Sequence, residues 1–596
     1  MKSLAYLNKY LLKYKYRLFF GIAFVFISNG FSVFLGPVTR KIIDFLNESF
    51  KHYLTLQGDV DKKTFMGAFD NQLIWYGLLI IGTALLSGLF LYFQRQAIIG
   101  MSRFIEYDLK NEIYAHYQTL PLSFYRKNNT GDLMSRISED VGKVRMYLGP
   151  AIMYTSNLIS LFFIIIPIMF MVNVKLTCYA LLPLPFLTIT IFLIHNLMQK
   201  KSTQIQRGLA RMSTYIQEAF SGIRVVKAFV REKDSEERYL QAIDHYKDVS
   251  MGYTKINSLF FPLILLLTGL SAILIVYVGG QEVMQGKLTI GNIAEFMIYL
   301  NKLTWPVAAL GWITSMVQQA EASQKRINEF LNTKTDIVSK ADVKKELEGD
   351  IRFENVSLTY PDSGIIALQN ISFHIDKGES LAIIGTTGSG KSTIANLLCR
   401  LYDTTTGRIL VDGRDIKDYN LSSLRSQIGY VPQDVFLFSD TIRNNIAFGS
   451  DDISEADITQ AAKDADLYNN IMDFPNKFDT ILGERGITLS GGQKQRLSIA
   501  RAIVRKPRLI MLDDSLSAVD TKTENAILNN LERIMKNRTT LIISHRVSSA
   551  KLAHKIIVLS DGQLVEQGSH EELLALNGAY RQLYQKQTEE ETTEKA

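Results

Sequence analysis

Apolar residues in the first half of the chain gather into runs longer than a soluble core uses. A helix crossing a bilayer needs about 20 mostly apolar residues. Six stretches qualify: Leu18 to Val38, Leu73 to Ile99, Tyr147 to Val172, Leu176 to Leu197, Leu259 to Val283 and Ile290 to Val317. An even number of spans returns the chain to its starting side, so Asn47 to Gln72 is expected as an external loop and Asn173-Val174-Lys175 as an external turn. The stretches between spans two and three, and between four and five, are charged yet helix-forming, so they read as helices continuing into the cytosol. The pattern changes after Asp350. Strand-like runs (Ile351 to Thr359, Ser380 to Ile384, Leu509 to Leu512) alternate there with helix-like ones such as Ser392 to Leu401, which predicts an α/β domain. The expected organisation is a helical polytopic membrane domain over 1–325, a linker over 326–348, an α/β domain over 349–586 and a disordered acidic tail over 587–596.

Composition and charge fit this division. The 596 residues exceed what a single core supports, and 47% hydrophobic content is an average over a membrane half and a water half. The formal charge of +7 comes from Lys and Arg scattered beside apolar runs and clustered at Lys9, Lys13, Lys15 and Arg17. That is positive-inside topology, with a cytoplasmic N-terminus, and not a nucleic-acid surface. The run beginning at Leu18 is followed by further spans, so it is expected to stay as an anchor. Two cysteines, Cys178 and Cys399, offer neither a disulfide framework nor a cysteine metal site and suit a reducing cytosol.

The chemistry lies in the second half. Gly385-Thr386-Thr387-Gly388-Ser389-Gly390-Lys391-Ser392 has the P-loop spacing, after an apolar strand and before a helix. Its glycines let backbone N–H groups wrap phosphate, Lys391 reaches the β- and γ-phosphates, and Ser392 is placed to ligate Mg²⁺. The strand Leu509-Ile510-Met511-Leu512 ends in Asp513-Asp514, and a carboxylate there is placed to hold the Mg²⁺ shell, so Asp513 is the second expected metal ligand. ATP and Mg²⁺ are the implied ligands.

With these residues assembled the sequence resembles the ABC exporter family. Leu489-Ser490-Gly491-Gly492-Gln493 matches the family signature, Tyr360 the aromatic residue that stacks on adenine, Gln433 the Q-loop, Ser517-Ala518-Val519-Asp520 the D-loop and His545 the switch histidine, all in the family's order. The resemblance implies nucleotide contacts by Tyr360, by Gly385 through Thr393, by Ser490 through Gln493 and by Asp520, a Mg²⁺ contact by Gln433, and catalytic roles for Asp514, Gln433 and His545. More loosely, Leu120-Pro121-Leu122-Ser123-Phe124-Tyr125 to Leu133 is similar to the first coupling loop of exporters. Gln217-Glu218 to Lys227 precedes the expected second, and Gly483-Glu484-Arg485-Gly486 is similar to an element that touches such loops.

The resemblance further implies a head-to-tail dimer in a bacterial inner membrane, each ATP held between one P-loop and the partner's signature. Where most family members carry Glu after the Walker B Asp, this chain carries Asp514. One methylene is lost, so a base that must come within hydrogen-bond reach of its proton falls short, and slow hydrolysis is expected. Asp514 beside an intact signature resembles the degenerate-site subunit of heterodimeric bacterial multidrug exporters, so the expected partner is a second half-transporter, with a homodimer as the alternative. The expected cargo is hydrophobic or amphipathic, drug-like or lipid. Two rival readings are a homodimeric lipid floppase and an ATP-gated channel or sensor.

Overall fold

The computed structural model describes residues 2–594 apart from 57–58, 340–344, 451, 484–485, 487–488, 516–529 and 531. The chain divides into two compact units, one of residues 1–118 and 131–333, the other of residues 119–130 and 334–596.

The first unit is built on six long helices: α1 Lys15–Thr55, α2 Asp59–Thr119, α3 Thr130–Val172, α4 Val174–Ser221, α5 Glu232–Met284 and α6 Ile290–Leu331. The segment expected as an external loop, Asn47 to Gln72, is instead mostly helix. α1 runs on to Thr55 and α2 starts at Asp59, with Phe45, Phe65 and Phe69 stacking across the hairpin. The Asn173 connection is a tight turn as expected, and the Asn173 side chain caps the next helix by accepting from the Leu176 N–H at 2.8 Å.

Five of the six helices are long and apolar enough to cross a membrane. In the sixth, α6, Asn292, Glu295, Asn301 and Lys302 interrupt the apolar run. It compensates by packing against α1, α3, α4 and α5. Glu295 is completely buried, accepting from the Tyr299 hydroxyl at 2.7 Å and pairing with Arg40 of α1 at 3.1 Å. Thr289 caps the start of α6, and Asp44 of α1 accepts from the Gly291 N–H at 2.9 Å and the Thr289 hydroxyl at 2.8 Å. Polar groups that lipid would reject are thus satisfied inside protein. The outward face of α6 carries Asn301, Trp305 and Trp312.

The second unit holds two sheets. One is antiparallel, ordered β2-β1-β4-β5, with β1 Ile351–Thr359, β2 Ile366–Ile375, β4 Thr406–Val411 and β5 Arg414–Asp415. The other is ordered β10-β9-β3-β8-β7-β6, with β3 Ser380–Gly385, β6 Ile428–Val431, β7 Leu509–Asp513, β8 Thr539–Ile543, β9 Lys555–Ser560 and β10 Gln563–Gly568. Strands β6, β7, β8, β3 and β9 run parallel. A parallel sheet is covered on both faces, so its strands are apolar throughout, and every residue of β3, β7 and β8 is buried. Alternate residues serve opposite cores: Ala382 and Ile384 pack with Leu497 and Ile499, Leu381 and Ile383 with Ile394 and Leu398. The predicted strands are present with ends shifted by one residue at most. Helix α7, Lys391–Leu398, follows β3, α8 covers Gly491–Ile503, α9 Val547–Ala550 and α10 Ala579–Glu594. The backbone of the acidic tail, expected to be disordered, is helical for most of its length.

Candidate nucleotide site

Strand β3 delivers the chain to the phosphate loop and α7 takes it away. Gly388 and Gly390 have φ of +84° and +95°, and a Cβ on Gly390 would lie 2.4 Å from the Ala367 carbonyl oxygen, so only glycine fits there. Thr386, Thr387 and Gly388 are exposed, whereas Ser389 is buried with its hydroxyl unpartnered. Lys391 is 5% exposed and folds its ammonium onto the carbonyls of Gly385 at 2.9 Å and Thr386 at 2.8 Å. Burial pushes Lys391 down to about 8, against the opposing pull of Asp514 and Asp513.

The two expected metal ligands meet. The Ser392 hydroxyl donates to Asp513 Oδ1 at 3.0 Å, and the Tyr430 hydroxyl donates to Oδ2 at 3.4 Å. Burial raises the Asp513 carboxyl above its ordinary range, with the Ser392 bond opposing. A hydroxyl at the phosphate loop and a carboxylate at the end of β7 fit a hard cation that keeps most of its water, as Mg²⁺ does. Gln433 stands two residues beyond β6, whose Val431 pairs with Leu512, so it occupies the same edge as Asp513 with an exposed side chain.

Asp514 follows β7 with φ +47°, its N–H donating to the Ile543 carbonyl at 2.8 Å. His545 comes two residues after β8. Its imidazole is held below its ordinary value first by burial and next by Lys391, with Asp514 pulling the other way, so it is neutral at pH 7. Lys391, Asp513, Asp514 and His545 therefore share one electrostatic neighbourhood at the C-terminal ends of β3, β7 and β8, where open α/β sheets bind ligands.

Tyr360 sits at the end of β1, its hydroxyl 2.9 Å from Thr393 Oγ1, with Tyr402 packed edge-on at 5.0 Å. Sequence reasoning missed the group beside them. The Arg126 guanidinium, on the short helix Leu122–Lys127 of the first coupling stretch, lies 5.4 Å from the Tyr360 ring centre and 5.9 Å from that of Tyr402.

The signature residues form a helix start. Ser490 caps α8 in a capping box: its hydroxyl accepts from the Gln493 N–H at 3.3 Å, and its own N–H donates to Gln493 Oε1 at 2.9 Å. Ser490 and Gly491 are exposed and Gly492 and Gln493 half-buried, leaving the positive end of α8 open to an anion. Asp520 lies outside the described residues, as do Glu484 and Arg485.

Fold and site together define an ATPase of the P-loop class carried on the same chain as a multi-pass helical membrane domain. Residues 18–307 match the ABC transporter transmembrane region, and residues 368–517 match the family described as ABC transporter. Among curated relatives, a probable multidrug resistance ABC transporter ATP-binding/permease protein of Bacillus subtilis is 37% identical over 87% of this chain and 90% of its own. An uncharacterised ABC transporter ATP-binding protein of the same organism is 38% identical over 86% and 88%. An ATP-dependent lipid A-core flippase of Syntrophus aciditrophicus is 36% identical over 88% of each chain. A bacterial Atm1-family ABC exporter solved with ATP bound superposes with a TM-score of 0.78 at 29% identity, covering 96% of this chain and 99% of that one. The chain belongs to the ABC transporter family. It has the half-transporter exporter architecture, and its ATP-binding domain hydrolyses ATP to drive transport.

Proposed function

We propose that this chain exports a hydrophobic or amphipathic compound from a bacterial cell, working as one half of a heterodimer whose other half supplies the fast hydrolytic site. In this reading ATP lies with adenine on Tyr360, phosphates on Gly385 to Thr393 with Lys391, and Mg²⁺ on Ser392 and Asp513 with Gln433 nearby. Ser490 to Gln493 and Asp520 complete the partner's site. Asp514 holds the attacking water, His545 contacts the γ-phosphate, and the nucleotide domains and N-terminus face the cytoplasm. ATP favours the closed pair of nucleotide domains and so shifts the membrane half outward-facing.

The observation that carries the reading is Asp514. Lys391, Ser392, Asp513 and His545 lie at the same strand ends as Asp514, while the one residue expected to polarise water is shortened and sits on left-handed backbone. An intact, exposed signature beside a weakened base is what a chain needs if its main catalytic service is to another subunit. Two apolar surfaces support the docking of a second subunit. Phe220, Val225 and Phe229 stand exposed around the short helix Ile223–Ala228, and Phe436, Phe438 and Phe448 form an exposed aromatic patch on the ATP-binding unit.

The test is Mg²⁺-dependent ATP turnover of the chain alone in lipid nanodiscs. Negligible turnover, raised about 100-fold by Asp514→Glu and abolished by Lys391→Ala, is expected. Fast turnover of the unaltered chain would overturn the heterodimer in favour of a homodimer.

A homodimeric lipid floppase is the second reading, favoured by Lys302. The lysine lies twelve residues into α6, about 18 Å along the helix axis from its start. It donates to the Ser32 hydroxyl at 2.5 Å, and among the described residues no carboxylate lies within 4 Å of it. Headgroup-dependent stimulation of ATP turnover, lost in Lys302→Gln, would support this reading over the first.

A further inference from the structure

Helix α10 follows the last strand and lies beyond every motif of the ATP site, yet it reaches the loop that carries the switch histidine. Its start is fixed by Glu566 of β10, whose carboxylate accepts from the N–H groups of Ala579, at 2.5 Å, and Tyr580, at 3.0 Å. Tyr580 is fully buried with its hydroxyl 2.7 Å from His570 Nδ1, and Lys551 lies 4.7 Å from the Tyr584 ring centre. Tyr580, Tyr584 and Gln587 are spaced i, i+4, i+7, which puts them on one face of the helix. At the end of that face the Gln587 amide makes two bonds to the histidine loop. Its Nε2 donates to the His545 carbonyl oxygen at 2.6 Å, and its Oε1 accepts from the Val547 N–H at 2.8 Å. Val547 opens helix α9, so its N–H has no partner within that helix. On the other side, the Ser544 N–H donates to the Ile383 carbonyl of β3 at 3.1 Å. The backbone of His545 is thus held between the central strand and α10.

We propose that Gln587 is a positioning residue for the switch histidine, its amide fixing the backbone on which His545 is presented to the γ-phosphate. A glutamine is suited to this because it donates and accepts at once. Glutamate keeps the acceptor for Val547 but loses the donor for His545, and leucine loses both. The proposal rests on the role given to His545 above, and its test separates the two.

The experiment uses the full chain in lipid nanodiscs. Carbethoxylation of each histidine and amide exchange at Val547 are followed by peptide mass spectrometry, which reads loop position without hydrolysis. In Gln587→Leu, His545 labelling and Val547 exchange both rise about fivefold, a size consistent with losing one or two net hydrogen bonds. In Gln587→Glu, His545 labelling rises while Val547 stays protected, a split that general loosening of α10 would not give. Labelling of His570 reports that the helix remains docked. If Gln587→Leu raises His570 as well, the helix has detached and the Gln587→Glu pattern decides. His545 labelling unchanged in both variants overturns the proposal. In the Asp514→Glu background, kcat for ATP falls about tenfold in Gln587→Leu with KM within about twofold. Labelling that changes while kcat does not would leave the clamp standing and remove the catalytic role of His545.

Discussion

Lys391 is folded onto two loop carbonyls and titrates near 8 when no phosphate is present. Phosphate oxygens stabilise its charged form and return it toward its ordinary value, so nucleotide binding takes up a proton wherever free Lys391 has lost one. The sign follows: affinity is flat below pH 8 and falls as pH rises past it, by up to about tenfold per pH unit. Binding of ATP measured in EDTA at pH 7 and pH 9 is expected to weaken about tenfold, and Lys391→Ala is expected to bind weakly with no such slope. This residue was legible from sequence because the P-loop fixes its neighbours by spacing. Arg126 and Gln587 were not, because each meets its partners only when distant segments fold together. Neither residue type marks its own position.

At the scale of elements, sequence hydropathy located the cores of the spans but missed their ends. α1 and α2 both extend as helix into the segment between the spans, with Phe45, Phe65 and Phe69 stacked there, a packing effect that no local window contains. Helix α6 shows the opposite case, a span whose polar residues are explained only by its neighbours. The Arg40–Glu295 pair, its carboxylate buried and its guanidinium part-exposed, binds α6 to α1, and loss of Glu295 takes this partner from both Arg40 and the Tyr299 hydroxyl. Glu295→Ala is therefore expected to cost about 1 to 3 kcal/mol, read as a lower Tm in nanodiscs. The double substitution with Arg40→Ala should cost less than the two single changes summed. Additive losses would mean that the two residues act independently.

For the whole molecule, the reading of the exposed Phe229 (73%) and Val225 (61%) around the short helix Ile223–Ala228 as a docking surface for the second subunit, proposed above, has a direct test. Phe229→Asp in the assembled transporter is expected to keep at least about half of the ATP turnover while substrate transport falls about tenfold, a charge in an apolar contact costing about one to three kcal/mol. Equal loss of both activities would point to failed assembly instead. The two-part architecture and the phosphate loop were readable from sequence because apolar run length and phosphate-loop spacing are local properties. Cargo was not, since it depends on which side chains share a cavity.

Helix α6 also bears on how the protein is made. Synthesis brings α1 into the membrane first and α6 last among the long helices, and the apolar run of α6 is broken by Asn292, Glu295, Asn301 and Lys302. Its acceptance by the insertion machinery then depends on a docking surface laid down some 250 residues earlier, with Arg40 and Asp44 waiting to neutralise Glu295 and cap the incoming turn. A lesion in α1 would therefore surface as a biogenesis defect: a chain whose final span stays outside the bilayer and is degraded before it ever meets ATP.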